Sequence, residues 1–297
     1  MGSVKLHLVD GTYELFRAHF SKRPDHRAPE GYDAKATVGL VHSMLALLSD
    51  SREEVTHIAI AFDNPIRSFR NDLYDGYKTE EGVPEELLRQ FAPVEEAAAA
   101  IGLTVWAMDQ WEADDALATA AARFSRDVEQ VRILSPDKDL GQCIVGRKVV
   151  QVDRRQDKEV DEDALREAKG IAPASIPDWL ALVGDSADGI PGIKGFGEKG
   201  ASALLGVYGT IESIPASAEE WTVKPRGAAT LAATLHAERD NALLYRKLAT
   251  LVRDVPLKES LDELRWRGVP RSRFSAWCKK MGAESLLTRP NAWNELG

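Results

Sequence analysis

Cysteine is nearly absent from this chain of 297 residues: the two present, Cys143 and Cys278, lie far apart and without metal-ligand spacing. That excludes a disulfide scaffold and a thiolate zinc centre, and predicts free buried thiols in a reducing compartment. The six histidines also lack ligand spacing, so structural or surface roles are expected for them. No apolar run approaches the ~20 residues that span a bilayer, and the first ten residues read as strand rather than signal peptide. A soluble, cytoplasmic protein with no membrane partner is expected. Basic residues are the minority, with 38 Lys and Arg against 47 Asp and Glu and a formal charge of −9. Such a balance ordinarily argues against nucleic acid.

The acidic excess has an address. Nine carboxylates sit in five short motifs: Asp10 in LHLVDG, Asp63 in IAIAFD, Glu112, Asp114 and Asp115 in WEADD, Asp137 and Asp139 in SPDKD, and Asp185 and Asp188 in GDSADG. Without these nine the acids fall from 47 to 38 and equal the bases. With the site filled by cations the chain is near neutral, which leaves room for local basic stripes.

Four of the motifs follow runs that read as short buried strands, at 5–9, 57–62, 103–107 and 131–135. Helical patterns at 34–48 and 114–124 lie between them. Strand alternating with helix predicts an α/β fold with a parallel sheet covered on both faces. The acids then occupy the carboxyl ends of strands, where ligands collect in such sheets. Their mutual repulsion requires compensation, which points to hard cations with oxygen ligands.

The length allows one large domain and a smaller one. The sheet-building pattern runs to about Val152 and the domain change is placed near 160–175. Beyond it, helices at 176–183 and 198–205 flank a Gly-rich turn in a helix-hairpin-helix pattern. Gly192, Gly195 and Gly197 permit close backbone approach, the following helix offers free N–H groups, and Lys194 and Lys199 add charge, as phosphate binding requires. Trp106 and Trp111 flank EADD and are expected in the core. The basic segment 265–282 reads as a packing helix with a charged outer face, and nothing in the sequence reads as a polymerase.

Hydrolysis of a phosphodiester needs an activated water and charge stabilisation, which two Mg²⁺ or Mn²⁺ ions about 4 Å apart supply. Mg²⁺ takes few direct protein ligands, so some of the acids act through water, Asp63 or Asp188 being the candidates. In EADD, helical spacing of ~3.6 residues per turn places Asp115 between its neighbours as a central ligand.

VDG, FD, FRNDLYDGYK, EADD, DKD and GDSADGIPGIKGFGEKGA, in this order over roughly residues 4–255, resemble the bacterial and phage 5′ nucleases. That family includes the 5′-3′ exonuclease domain of DNA polymerase I, separate exonucleases and flap endonucleases. The resemblance implies a PIN-like sheet domain at 1–165, a helix-three-turn-helix DNA-binding region at 166–260 and a helical extension at 261–297. It implies that Asp10, Asp63, Glu112, Asp114 and Asp115 hold a first divalent ion, and Asp137, Asp139, Asp185 and Asp188 a second. K⁺ would sit on backbone carbonyls of Leu182, Val183, Pro191, Ile193 and Phe196. Lys78 would stabilise phosphate charge, Tyr77 would offer a stacking face, Arg70 would stand beside them, and Arg17 would reach DNA from the first helix. Residues 71–95 would form a helical gateway for the 5′ strand, although Glu80 and Glu81 stand where many relatives are basic.

The implied activity is metal-dependent cleavage of DNA carrying a duplex region and a free 5′ end, flap or nick, in replication or repair, by a separate, monomeric nuclease that associates with the nucleoid when bound to DNA. RNA–DNA primer junctions belong to the same substrate class. A PIN-type ribonuclease is disfavoured by the helical hairpin, and a DNA-binding protein that has lost catalysis is disfavoured by the intact acids. Asp10-Gly11-Thr12 is similar to the nucleophile loop of haloacid dehalogenase phosphatases, but the nucleophile position there is Leu8.

Overall fold

The structure is a computed structural model and describes residues 4–295. Six strands, β1 (Lys5–Asp10), β2 (His57–Asp63), β3 (Thr104–Met108), β4 (Gln130–Leu134), β5 (Val149–Asp153) and β6 (Lys158–Val160), form one sheet in the order β3-β2-β1-β4-β5-β6. All neighbours run parallel except β5 and β6. Every residue of β2 is buried, because helices cover both faces.

Alternation along the strands sorts the layers. Ile58, Ile60, Phe62 and Val9 pack on one face with α2 (Lys35–Ser49) and α5 (Phe91–Ala100). Ala59, Ala61, Leu6 and Leu8 meet α6 (Ala113–Phe124) on the other. The small Ala pair lets the Ala-rich α6 lie close to the sheet. From β1 the chain proceeds outward through α1 (Gly11–His19), α2 and β2 to β3, then returns to β4 on the opposite side of β1. The order therefore reverses between β1 and β4, and a crevice opens at their carboxyl ends.

After α7 (Glu162–Lys169), the helices α8 (Ile176–Val183), α9 (Glu198–Tyr208), α10 (Ala228–Ala237) and α11 (Arg239–Ala249) enclose a second core around Trp179, Leu180, Leu204 and Leu248. The chain then comes back. Leu251 and Leu264 pack beneath α6, and Phe274, Trp277, Cys278 and Met281 of α12 (Arg271–Met281) join the α2–α5 layer. Trp266 Nε1 donates to the Ile101 carbonyl at 3.1 Å, and Lys280 pairs with Glu96 at 2.7 Å. The described part of 261–297 is thus integral to the sheet domain and not an extension from it.

A second departure concerns 71–95. The stretch expected as a helical gateway holds the single turns α3 (Arg70–Leu73) and α4 (Glu85–Leu88), a loop between them, and the start of α5 in the core. Gly76, Gly82 and Pro84 interrupt the helical path, Gly82 at φ +84°. The loop is pinned rather than free: Lys78 N donates to the Asp188 carbonyl at 3.0 Å. A Cβ on Gly189 would lie 2.1 Å from the Gly76 carbonyl oxygen, so only glycine fits there.

Candidate metal and nucleic-acid site

Asp10 ends β1 and caps α1, with Oδ1 accepting from Tyr13 N at 2.8 Å and Oδ2 from Ser135 Oγ at 2.8 Å. Burial pushes its carboxyl up to about 7 despite those donors. Asp63 ends β2 and accepts from Ala113 N at 2.7 Å, while its own N–H donates to Thr12 Oγ1. Burial raises it as well. Asp114, in the first turn of α6, is raised well above the carboxylate range by burial and then by the charges of Asp10 and Asp137. These acids press on one another across the mouth of the crevice.

Glu112, the cap of α6, is the counterexample. Its Oε1 accepts from Ser68 Oγ at 2.7 Å and lies 3.1 Å from Arg70 Nη1. Its Oε2 lies 2.8 Å from Lys78 Nζ and 3.2 Å from the Tyr77 hydroxyl. Burial works to raise Glu112, but Lys78 and Arg70 hold it at about 2.

On the opposite wall, Asp137 caps the tight helical turn Lys138–Cys143 and accepts from Asp139 N at 3.0 Å. Asp139, Asp185 and Asp188 bring carboxylate oxygens within 4.8 Å of one another. Lys138 neutralises Asp185 at 2.8 Å and Lys78 reaches Asp188 at 3.0 Å. Asp139 Oδ1 is buried without a hydrogen-bond partner, and burial with the charges of Asp137 and Asp188 raises this acid well above its usual range. Converging buried oxygens with too few donors suit a hard divalent cation. Lys78, drawn to both Glu112 and Asp188, remains protonated although burial opposes its charge.

Three expectations need correction. Asp115 does not stand free as a central ligand: Arg70 Nη1 and Nη2 donate to its two oxygens at 2.7 and 2.8 Å. Glu112 N and Val252 N take the remaining acceptor directions at 3.0 and 2.8 Å. Its four acceptor sites are spent within the protein. Arg70, expected beside Lys78 and Tyr77, is accordingly committed to the core. It is 1% exposed, and donates also to the Leu248 and Thr250 carbonyls at 2.7 and 3.0 Å, joining α3, α6 and the carboxyl end of α11, where a cation is favoured. Tyr77 is 3% exposed and offers no stacking face.

Arg17 pairs with Glu14 and donates to Ser43 Oγ at 2.7 Å. That buried glutamate, which also binds Arg154 at 3.0 Å, turns Arg17 toward the protein. The Gly-rich turn is open: Lys194, Gly195, Gly197 and Lys199 are exposed around the start of α9. Gly192, at φ +71°, permits a close approach, since a Cβ there would lie 2.6 Å from Gly184 N. Of the carbonyls assigned to K⁺, those of Leu182 and Ile193 each accept one backbone N–H, at 2.8 and 3.0 Å, which leaves one acceptor direction apiece. Trp106 is buried, its indole donating to Glu259 at 3.0 Å.

Sequence reasoning missed Ser68, Ser135, Lys138 and Thr12. Lys138, inside DKD, carried a readable signal; the others meet their acids only through the fold. Among the described residues no helix is long and apolar enough to cross a membrane.

Two family models match adjoining stretches of the chain: the 5′-3′ exonuclease N-terminal resolvase-like domain over residues 5–170 and the 5′-3′ exonuclease C-terminal SAM fold over 171–272. DNA polymerase I of Bacillus caldotenax is 34% identical over 289 residues, covering 96% of this chain and 32% of that protein. The chain thus spans about a third of such polymerases. A 5′-3′ exonuclease of Aquifex aeolicus is 28% identical over 284 residues, covering 95% of this chain and 93% of that one. Among solved structures, T5 5′-exonuclease with bound zinc has a TM-score of 0.63 at 18% identity, covering 82% of this chain and 89% of that one. The catalytic core of Rad2 in complex with DNA substrate has a TM-score of 0.60 at 12% identity, covering 97% and 93%. At these identities the likeness concerns the fold. With both models matched in sequence order over the sheet and the helical region, the chain belongs to the 5′-3′ exonuclease family.

Proposed function

We propose that the chain hydrolyses phosphodiester bonds of DNA at 5′ ends, nicks and flaps, by exonucleolytic and structure-specific endonucleolytic cuts, with two Mg²⁺ or Mn²⁺ ions. The observation that carries this reading is the pair of acid groups on facing walls of the crevice, joined by Lys78, with Asp139 Oδ1 buried and unpartnered. Asp10, Asp63 and Asp114 would hold one ion, joined by Glu112 once Lys78 releases its Oε2, and Asp137, Asp139, Asp185 and Asp188 the other. The ions would supply an activated water and stabilise charge on the reacting phosphate.

The protein's own groups do the rest. Lys78 bridges Glu112 and Asp188 and is the cation able to turn toward a phosphate once metal neutralises those acids. Arg70 and Asp115 fix the start of α6 so that Glu112 and Asp114 face the crevice. The open start of α9, with Lys194 and Lys199, would hold the duplex backbone, and the neighbouring carbonyls would hold K⁺, which would add positive charge there. An RNA 5′ end at a primer junction would meet the same contacts, which touch phosphate and not sugar. The protein acts as a monomer in this reading.

The test incubates the protein with 5′-labelled flap, nicked and blunt duplexes in Mg²⁺ or EDTA. Products that require Mg²⁺ are expected; none from any substrate would overturn the proposal.

A further inference from the structure

Next to the acids lies a cavity of about 260 Å³ for which the reading above has no use. Asp63 is shared between the two, forming one wall of the cavity. Pro65, Ile66, Leu88 and Phe91 make the sides apolar, and Asn64 and Glu80 are its other polar members. A structural water needs only ~10–15 Å³ by a comparable measure, so this space suits a ring system.

Its chemistry narrows the occupant. Among the described residues no cation lines the cavity and two carboxylates do, so a phosphate is repelled. Glu80 has no ion pair among the described residues and accepts one long hydrogen bond, from Arg67 N at 3.4 Å. One N–H of the Asn64 amide is donated to Glu95 at 2.6 Å, which leaves the amide one donor. The cavity therefore offers apolar faces with more acceptors than donors, and a neutral planar group with donors on its edge matches both. Its walls join Asp63, one of the crevice acids, to Glu80 and Leu88 of the 70–90 segment, so a strand bound at the acids has the cavity beside it.

We propose that this cavity receives the base of the first unpaired nucleotide on the 5′ side of the cut, with Glu80 reading its edge. The proposal rests on the nuclease reading and deepens it. Guanine is favoured, because its adjacent N1–H and N2–H donors match the two oxygens of a carboxylate. Thymine is disfavoured, since its single N–H lies between two carbonyl oxygens that face the charge. Glu80 and Asp63 thus divide the work: one selects the base and the other belongs to the chemistry.

The test measures kcat/KM in Mg²⁺ on flap substrates identical except at that nucleotide, which is dG, dT or abasic. The parent protein should cleave the dG substrate about tenfold faster than the dT or abasic one, the value of a charge-assisted hydrogen bond. Glu80→Gln should bring the dG to dT ratio near one, a ratio that general loss of activity does not move. Leu88→Trp, which fills the cavity, should bring the dG to abasic ratio near one. Glu81→Gln, at the exposed neighbouring position, should keep the parent's ratios. Equal rates on all three substrates in the parent, or a dG preference that survives Glu80→Gln, would overturn the subsite while leaving the nuclease reading intact. No cleavage of any substrate by the parent would overturn both.

Discussion

Replacing Asp10 by Asn separates the electrostatic cost of the site from its packing. Asn can still cap α1 by accepting from Tyr13 N, and its amide can donate to Ser135 Oγ, so both hydrogen bonds seen for Asp10 have counterparts. What disappears is a charge whose carboxyl burial has moved from 3.8 to about 7. The sign follows from linkage. The folded state holds the Asp10 proton more tightly than the unfolded state, so the parent is penalised progressively as pH rises from ~4 to ~7, and fully above that. Asn carries no such penalty. The separation corresponds to ~4 kcal/mol at pH 8, and relaxation around the crevice reduces the expected gain to ~2–4 kcal/mol. For a chain of this size that is ~3–6 °C in Tm. The assay is thermal unfolding in EDTA at pH 5 and pH 8, then at pH 8 with Mn²⁺. Asp10→Asn should exceed the parent clearly at pH 8 and by ~1–2 kcal/mol at pH 5, and Mn²⁺ should close the gap by stabilising the parent more. A variant less stable than the parent in EDTA at pH 8, or a difference independent of pH, would refute the account of strained acids.

Other expectations follow from the same geometry. Asp115→Asn should destabilise the protein by ~3–5 kcal/mol, because it leaves Arg70 charged and underpaired in the core; an unchanged unfolding midpoint in urea would argue against the buried pair. Asp139→Asn should weaken Mn²⁺ binding at least tenfold by calorimetry while raising stability in EDTA, since its unpartnered oxygen is buried; undiminished affinity would remove Asp139 from the metal site. Lys194→Ala should lower the slope of log affinity for duplex DNA against log salt by about one, the release of a single counterion, and an unaltered slope would mean that Lys194 touches no phosphate.

Much of the architecture was legible because it rests on local periodicity. The strand expected at 103–107 is Thr104–Met108, the one at 131–135 is Gln130–Leu134, and the helix expected at 114–124 is Ala113–Phe124. Buried parallel strands read as apolar runs whatever surrounds them. The acids at their ends were readable for the same reason. The roles within FRNDLYDGYK were not, since Arg70 and Tyr77 look like surface residues until α11 and the 251–264 return cover them.

By itself the sequence determined an α/β sheet with carboxylates at its strand ends, a Gly-rich helical hairpin, and an acidic excess equal to the nine carboxylates of five motifs. Period and spacing act over a few residues, so they survive translation into structure. Only the tertiary structure decided which acids face solvent and which face an arginine. Asp115 and Asp114 are neighbours in sequence, yet one is consumed by Arg70 and the other is left strained by like charges. That difference comes from Leu248, Thr250 and Val252, more than a hundred residues away along the chain. Hydrogen-bond satisfaction in a buried junction depends on everything that closes over it, and no local pattern encodes that closure.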